Sequence, residues 1–248
     1  VQPVERVGGT GHGAIEAEES RQRLFKVFYA HGEEFLLDLH RRERLGFPEV
    51  VLAESKSVEQ VIQITRKIFE ANGQVCISNM LPEQAEALQN NFRDLPVRIA
   101  GRCMTIGPAA DPIGCVGIIT AGTSDIPYAR ECALVLEFMG ATVMTAYDAG
   151  VAGIHRPFVS LKEMSQAQVV IVLAGMEGAL PTLIASITDK PLIAVPTEVG
   201  YGIGGKGIGA MISMLQTCAP GVLVVNIGNV IGAAAGAVRI LRAIRKDL

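Results

Sequence analysis

The run Cys115-Val116-Gly117-Ile118-Ile119-Thr120-Ala121-Gly122-Thr123-Ser124-Asp125 decides the fold. Its apolar first half fits a buried strand, and the glycine that follows permits a tight turn. Ile126 and Pro127 then open a helix, proline being tolerated where no intrahelical N–H is needed. Outward from this unit, apolar runs recur at 142–146, 169–173, 192–195 and 222–227, with helical segments between them. Strand and helix alternating in this way predict α/β architecture, a doubly wound parallel sheet with helices on both faces. In such a sheet the ligand sits beyond the carboxyl ends of the strands.

The first hundred residues carry most of the charge, whereas the chain after Gly114 is rich in Gly, Ala, Val and Ile. That shift predicts two domains: a smaller amino-terminal α/β domain over 14–110 and the parallel-sheet domain over 111–248. Residues 1–13, Gly-rich and polar, read as a flexible leader. Within the smaller domain, apolar residues at helical spacing predict one or two helices across 15–39, interrupted near Gly32. A strand at 49–53, a helix at 58–71, a strand at 75–78 and a helix at 82–92 follow.

A net charge of −3, 5% aromatic residues and no Trp leave neither a basic field nor stacking platforms, which excludes nucleic acid as a partner. Five cysteines at wide, irregular gaps suggest no disulfide framework and no CxxC zinc site, and point to the reducing cytoplasm. The most apolar stretches, 167–187 and 219–241, are interrupted by Glu177 and Pro181 and by Asn226 and Asn229, so no membrane span is expected.

Five elements fall where ligands are expected. Gly122, Thr123, Ser124 and Asp125 form a turn into a helix whose free amides suit a phosphate, although Ser124 or Asp125 as a simple cap explains the string equally well. Asp148 leads a loop ending in His155 and Arg156, one suited to proton transfer and the other to phosphate or carboxylate. Gly175, Glu177 and Gly178 place one carboxylate in an apolar turn, where burial would make it a proton acceptor; a helix-start carboxylate is the alternative. The glycine-rich segment 196–207 suits a loop closing over a ligand and carries Lys206, without the order of a Walker A loop. Cys218 follows a helical stretch and reads either as a small core residue or as a nucleophile that needs a positive group beside it.

Together and in this order, these elements resemble the PurE class of aminoimidazole ribonucleotide carboxylases and mutases. That family's Gly-Ser-x-Ser-Asp loop is similar to Gly122-Thr123-Ser124-Asp125, and its Ala-His-Arg segment to Ile154-His155-Arg156. The resemblance implies a flavodoxin-like three-layer fold. Glu177 departs from that family's usually apolar turn, and the amino-terminal domain is additional. A closer resemblance is to the LarB family: Leu39-His40-Arg41-Arg42-Glu43-Arg44-Leu45-Gly46-Phe47-Pro48-Glu49-Val50-Val51 is similar to its Arg-x-x-Arg-x-Gly-Phe-Pro-Glu-Val signature. Likeness extends to 143–153, 175–181, 196–209 and 218–236.

The LarB resemblance implies carboxylation of C5 of the pyridinium ring of nicotinic acid adenine dinucleotide by CO2, with hydrolysis of the phosphoanhydride. The products are AMP and pyridinium-3,5-biscarboxylic acid mononucleotide, a precursor of the nickel-pincer nucleotide cofactor. It implies Cys218 as nucleophile and Glu177 as the active-site carboxylate, with His155 a second candidate base. Positive charge at the pyrophosphate would come from Arg156, Lys206, the Ser124 helix start and a Mg2+ held mainly by substrate phosphates. Arg41 and Arg44 are candidates for reaching the nucleotide or a neighbouring subunit. The resemblance and the Ala- and Gly-rich last helix favour a symmetric homo-oligomer. Aminoimidazole ribonucleotide carboxylation is the alternative function.

Overall fold

The computed structural model describes residues 29–31, 36–38 and 41–246. The expected leader lies outside these residues, as does most of the helix expected over 15–39. What is described of that segment is two short strands, β1 (Tyr29–His31) and β2 (Leu36–Asp38), paired antiparallel with Tyr29 opposite Asp38. Apolar spacing over so few residues does not separate helix from strand, and ladder pairing settles it. Leu37 joins the core of the smaller sheet.

A short helix α1 (Arg41–Leu45) leads to a four-stranded mixed sheet in the order β3-β4-β6-β5, with β3 at Val50–Leu52 and β4 at Val75–Ser78. The parallel β3–β4 pair is joined by α2 (Val58–Asn72), which starts at a capping box between Ser57 and Gln60 and ends at left-handed Gly73. Helix α3 (Pro82–Asn91) follows. The hairpin of β5 (Val97–Ala100) and β6 (Cys103–Ile106) is absent from the sequence expectation. Arg93, Asp94 and Arg98 dilute its apolar pattern, and β5 earns its place by pairing rather than burial.

The larger sheet is entirely parallel. It comprises β7 (Gly114–Thr120), β8 (Ala141–Ala146), β9 (Val169–Ala174), β10 (Leu192–Pro196) and β11 (Val222–Val224), in the order β11-β10-β9-β7-β8. Every residue of central β9 is buried, as a strand covered on both faces requires. Val169, Ile171 and Leu173 face a core completed by α4 (Ile126–Phe138) and α8 (Val230–Lys246). Val170, Val172 and Ala174 face the other core, under α5 (His155–Glu163), α6 (Leu180–Ala185) and α7 (Ile208–Leu215). The doubly wound α/β expectation therefore holds.

Two packing details concern the last helix and the smaller domain. Ala233, Ala234 and Ala237 of α8 are fully buried against the chain's own sheet and α4, so this part of the small-residue stripe packs within the chain. Residues of the amino-terminal part also join the larger core: Phe47 and Cys76 belong to it, and Arg102, in the β5–β6 turn, donates its backbone N–H to Glu131 of α4. Among the described residues, no helix is long and apolar enough to cross a membrane.

Candidate active site

Strand order reverses between β7 and β9, whose neighbours β8 and β10 lie on opposite sides, so the loops leaving β7 and β9 diverge and open a crevice. A cavity of about 350 Å³ fills it, lined by Gly122 to Asp125 after β7, Asp148 and Gly150 to Ala152 after β8, and Gly175 to Glu177 after β9. Gly122, Thr123, Ser124, Asp125, Asp148, Gly175 and Glu177, named from sequence, thus meet at one place.

The β7 loop is pinned by Asp125. Only 2% exposed, its carboxylate accepts the Gly122 N–H at 2.9 Å and the Thr197 hydroxyl at 2.6 Å. Burial pushes the Asp125 carboxyl above its usual range, and the Thr197 and Gly122 hydrogen bonds oppose that shift. Asp125 is therefore a loop-shaping residue more than a ligand contact. Thr197, fully buried, is the partner that sequence reasoning passed over, because a threonine after a strand carries no signal without its neighbour across the sheet. Replacing Thr197 by Val is expected to cost about 1–3 kcal/mol, since it leaves one oxygen of a buried carboxylate without its donor. Urea denaturation of the variant and the parent measures it.

The β9 turn is shaped by backbone needs. Met176 (φ 51°) donates its N–H to the Val199 carbonyl at 2.6 Å, and Gly178 (φ 62°) follows. A Cβ on Gly178 would lie 2.8 Å from the Ala210 carbonyl oxygen, and one on Gly175 would collide with that of Val199. Gly178 is thus required for close approach of α7 and does not line the cavity. Glu177, expected to be buried, is exposed: the turn carries it outward to the cavity rim, so this chain alone does not supply the desolvation argued from sequence.

Other sequence candidates fall outside. Arg156 is tied to Asp148, Nη1 to Oδ2 at 3.1 Å, and reaches the cavity only through that partner. Asp148 itself is held with φ 58° by its N–H bond to the Thr120 hydroxyl. His155, at the first turn of α5, and Lys206, left-handed at φ 57°, are exposed and line no described cavity. Arg41 and Arg44 form ion pairs with Glu49 and Asp38, which places this signature in the local structure of the amino-terminal segment rather than at the crevice.

Cys218 is not at the strand ends. It stands beyond the far end of α7, before β11, in a second cavity of about 880 Å³ whose walls are uncharged: Ile154, Thr182, Leu183, Ser186, Ser213 and Gln216 among them. Val151 and Ala179 border both cavities. Of the five cysteines Cys218 is the exposed one, while burial pushes the thiols of Cys76 and Cys132 up to about 12 and also raises that of Cys103. Cys115 is partly exposed, and Cys218 is the most accessible of the five thiols.

The charges lining the strand-end cavity, Asp125, Asp148 and Glu177, are all carboxylates. Among the described residues no three His, Cys, Asp or Glu side chains gather to hold a metal. A cavity of this kind favours a ligand that carries positive charge where it is enclosed.

Residues 30–108 match the family described as the LarB/PurE-like N-terminal domain, and 115–248 match the AIR carboxylase family. The chain is 41% identical over 248 residues to an uncharacterized protein of Methanocaldococcus jannaschii, covering 95% of each. It is 32% identical over 114 residues to the N5-carboxyaminoimidazole ribonucleotide mutase of the same organism, covering 45% of this chain and 67% of that one. A mutase of the same description from Pyrococcus horikoshii is 32% identical over 133 residues, covering 51% and 71%.

Proposed function

Since the chain belongs to the LarB family, with an AIR-carboxylase domain as its carboxyl-terminal part, we propose that it carboxylates the pyridinium ring of nicotinic acid adenine dinucleotide at C5 and hydrolyses the phosphoanhydride. The coarser statement, an enzyme of carboxylase or mutase type, follows from the family itself. The observation that supports the finer one is that the charged side chains lining the strand-end cavity, Asp125, Asp148 and Glu177, are all carboxylates. A pyridinium is a cation, and carboxylates in a partly enclosed site attract it through a lower effective dielectric than water's.

An electron-poor ring cannot attack CO2. Addition of the Cys218 thiolate to a ring carbon forms a C–S bond and moves an electron pair into the ring, leaving a neutral dihydropyridine whose C5 is an enamine carbon. C5 then bonds to CO2, Glu177 takes the C5 proton, and the C–S pair leaves with sulfur as the aromatic ring is restored. Thiolate is regenerated, so the nucleophile is not consumed. No cationic side chain lines the Cys218 cavity, so the ring supplies the charge that favours the approaching thiolate.

For the hydrolytic step, the Gly122 turn offers backbone amides, and Arg156 stands at the rim behind Asp148. With no cluster of protein ligands among the described residues, a Mg2+ would be held by the phosphate oxygens and water, where it would neutralise charge on the leaving AMP. Incubation with the dinucleotide, bicarbonate and Mg2+ is expected to yield the biscarboxylate mononucleotide and AMP by mass spectrometry. Absence of both products rejects this function.

The second reading is carboxylation or mutase chemistry on aminoimidazole ribonucleotide, favoured by the likeness to N5-carboxyaminoimidazole ribonucleotide mutases over the parallel-sheet domain. That substrate is already an enamine and needs no thiolate, so turnover of it, unaffected by loss of Cys218, would select this reading.

A further inference from the structure

We propose that Thr182 and Thr217 form a positioning pair for the Cys218 sulfur, aiming it at the substrate ring by fixing the backbone that carries it. The inference rests on the pyridinium reading, in which Cys218 is the nucleophile.

Little else aims that sulfur. Cys218 lies between α7 and β11, in neither a helix nor a strand, and it is exposed, so neither secondary structure nor packing holds it. No charged side chain lines its cavity, which removes an ion pair as the orienting contact. Downstream, Gly221 takes φ 87° with open space where a Cβ would stand, so the turn is not wedged from that side.

Two hydrogen bonds supply what packing does not. The Ala219 N–H donates to the Thr217 hydroxyl oxygen at 3.2 Å, closing a ring that contains the N, Cα and carbonyl carbon of Cys218. A side-chain turn of this kind fixes the φ and ψ it encloses, here the Cys218 angles that set the direction of its Cα–Cβ bond. The Thr182 hydroxyl donates to the same Thr217 oxygen at 2.8 Å. Both lone pairs of that oxygen are then engaged, which locks the Thr217 rotamer. The two threonines are half-buried, 35 residues apart, and both line the Cys218 cavity. Thr182 belongs to α6, which begins three residues after Glu177. A turn-forming threonine needs only the first bond. The second ties the segment bearing the nucleophile to the helix that leads away from the proposed proton acceptor. Reacting atoms meet at about 3–3.5 Å, and a misplacement of about 1 Å costs about a hundredfold in rate, so a nucleophile on an otherwise open turn needs such a tie.

The test replaces each hydroxyl by a methyl group. Thr217→Val breaks both bonds and is expected to lower kcat for carboxylation of nicotinic acid adenine dinucleotide by about a hundredfold, with KM within about threefold of wild type. Thr217→Ser keeps the hydroxyl and is expected to restore kcat to within about threefold of wild type. Thr182→Val leaves the local ring but frees it from α6, for an expected loss of about tenfold. The double Val variant is expected to lose no more than Thr217→Val, because both substitutions remove the same bond. Alkylation of Cys218 by iodoacetamide, followed by mass spectrometry, is expected at the wild-type rate throughout, since the thiol stays exposed and only its aim at the ring changes. Wild-type kcat in either Val variant, even with a lowered Tm, shows a turn-stabilising role and overturns the proposal, as do multiplying losses in the double variant. Should Thr217→Val fail to fold by circular dichroism, Thr182→Val decides alone by the same criterion. A wild type inert toward the dinucleotide, or a Cys218→Ser variant that keeps turnover, overturns the pyridinium reading itself and the proposal with it.

Discussion

Replacing Cys218 by serine is expected to lower carboxylation of nicotinic acid adenine dinucleotide by about a thousandfold or more, while dinucleotide binding measured by calorimetry stays within a few-fold of wild type. The asymmetry follows from the chemistry. Serine is close in size and sits in a cavity whose walls are uncharged, so neither fold nor ligand contact changes much. What disappears is a group that can both add to the ring and leave it: an alkoxide is unavailable near neutral pH, and no His or Lys lines that cavity to generate one. The other cysteines offer no substitute, since Cys76, Cys103 and Cys132 are buried and the partly exposed Cys115 does not line that cavity. Single-turnover product formation by mass spectrometry is the measurement. A serine variant within about tenfold of wild type would remove covalent catalysis from the mechanism.

Glu177→Gln is expected to slow the chemical step by about 10²- to 10⁴-fold, the usual contribution of a positioned proton acceptor. Its signature differs from that of Cys218→Ser. The C–S adduct can still form, and if loss of the C5 proton becomes limiting, a C5-deuterated substrate should react more slowly than the protonated one in the variant. KM is expected to rise as well, because an exposed carboxylate lining the cavity that would attract a cationic ring is neutralised. Retention of kcat with only KM raised would show Glu177 to be a binding residue and move the proton acceptor elsewhere. Asp148 is then the remaining exposed carboxylate of the cavity, already paired with Arg156.

Much of the architecture was legible from local chemistry. The five apolar runs are strands because β-branched residues fill a sheet buried on both faces, and β9, with every residue buried, shows why its sequence does not alternate. The site's position was legible for a related reason: glycine-rich turns follow strands where backbone must bend sharply beside a ligand. Gly122, Asp148, Gly175 and Glu177 accordingly converge on the crevice. What the sequence could not show was each side chain's partner. Arg41, Arg44 and Arg156 read as anion contacts because an arginine in isolation is an unmatched charge; only the structure shows that Glu49, Asp38 and Asp148 pair with them. The β5–β6 hairpin carries too little apolar pattern to be seen without the strand β4 that it pairs with.

The opening run from Cys115 to Asp125 thus determined, by itself, a strand, a turn and a helix in a parallel α/β sheet, because strand propensity, glycine and proline act within a few residues of where they stand. The family likeness, too, resides in the order of such short motifs. Only the tertiary structure decided that Asp125 is a pin held by Thr197, that Glu177 stands exposed at the rim, and that Cys218 belongs to a different cavity. Those outcomes depend on which elements lie side by side and on how far a strand carries the chain from one end of the sheet to the other. Residues 41 positions apart in sequence, Glu177 and Cys218, are placed by the register of β9, β10 and β11 and by the direction of α7, none of which is written in either residue's neighbourhood.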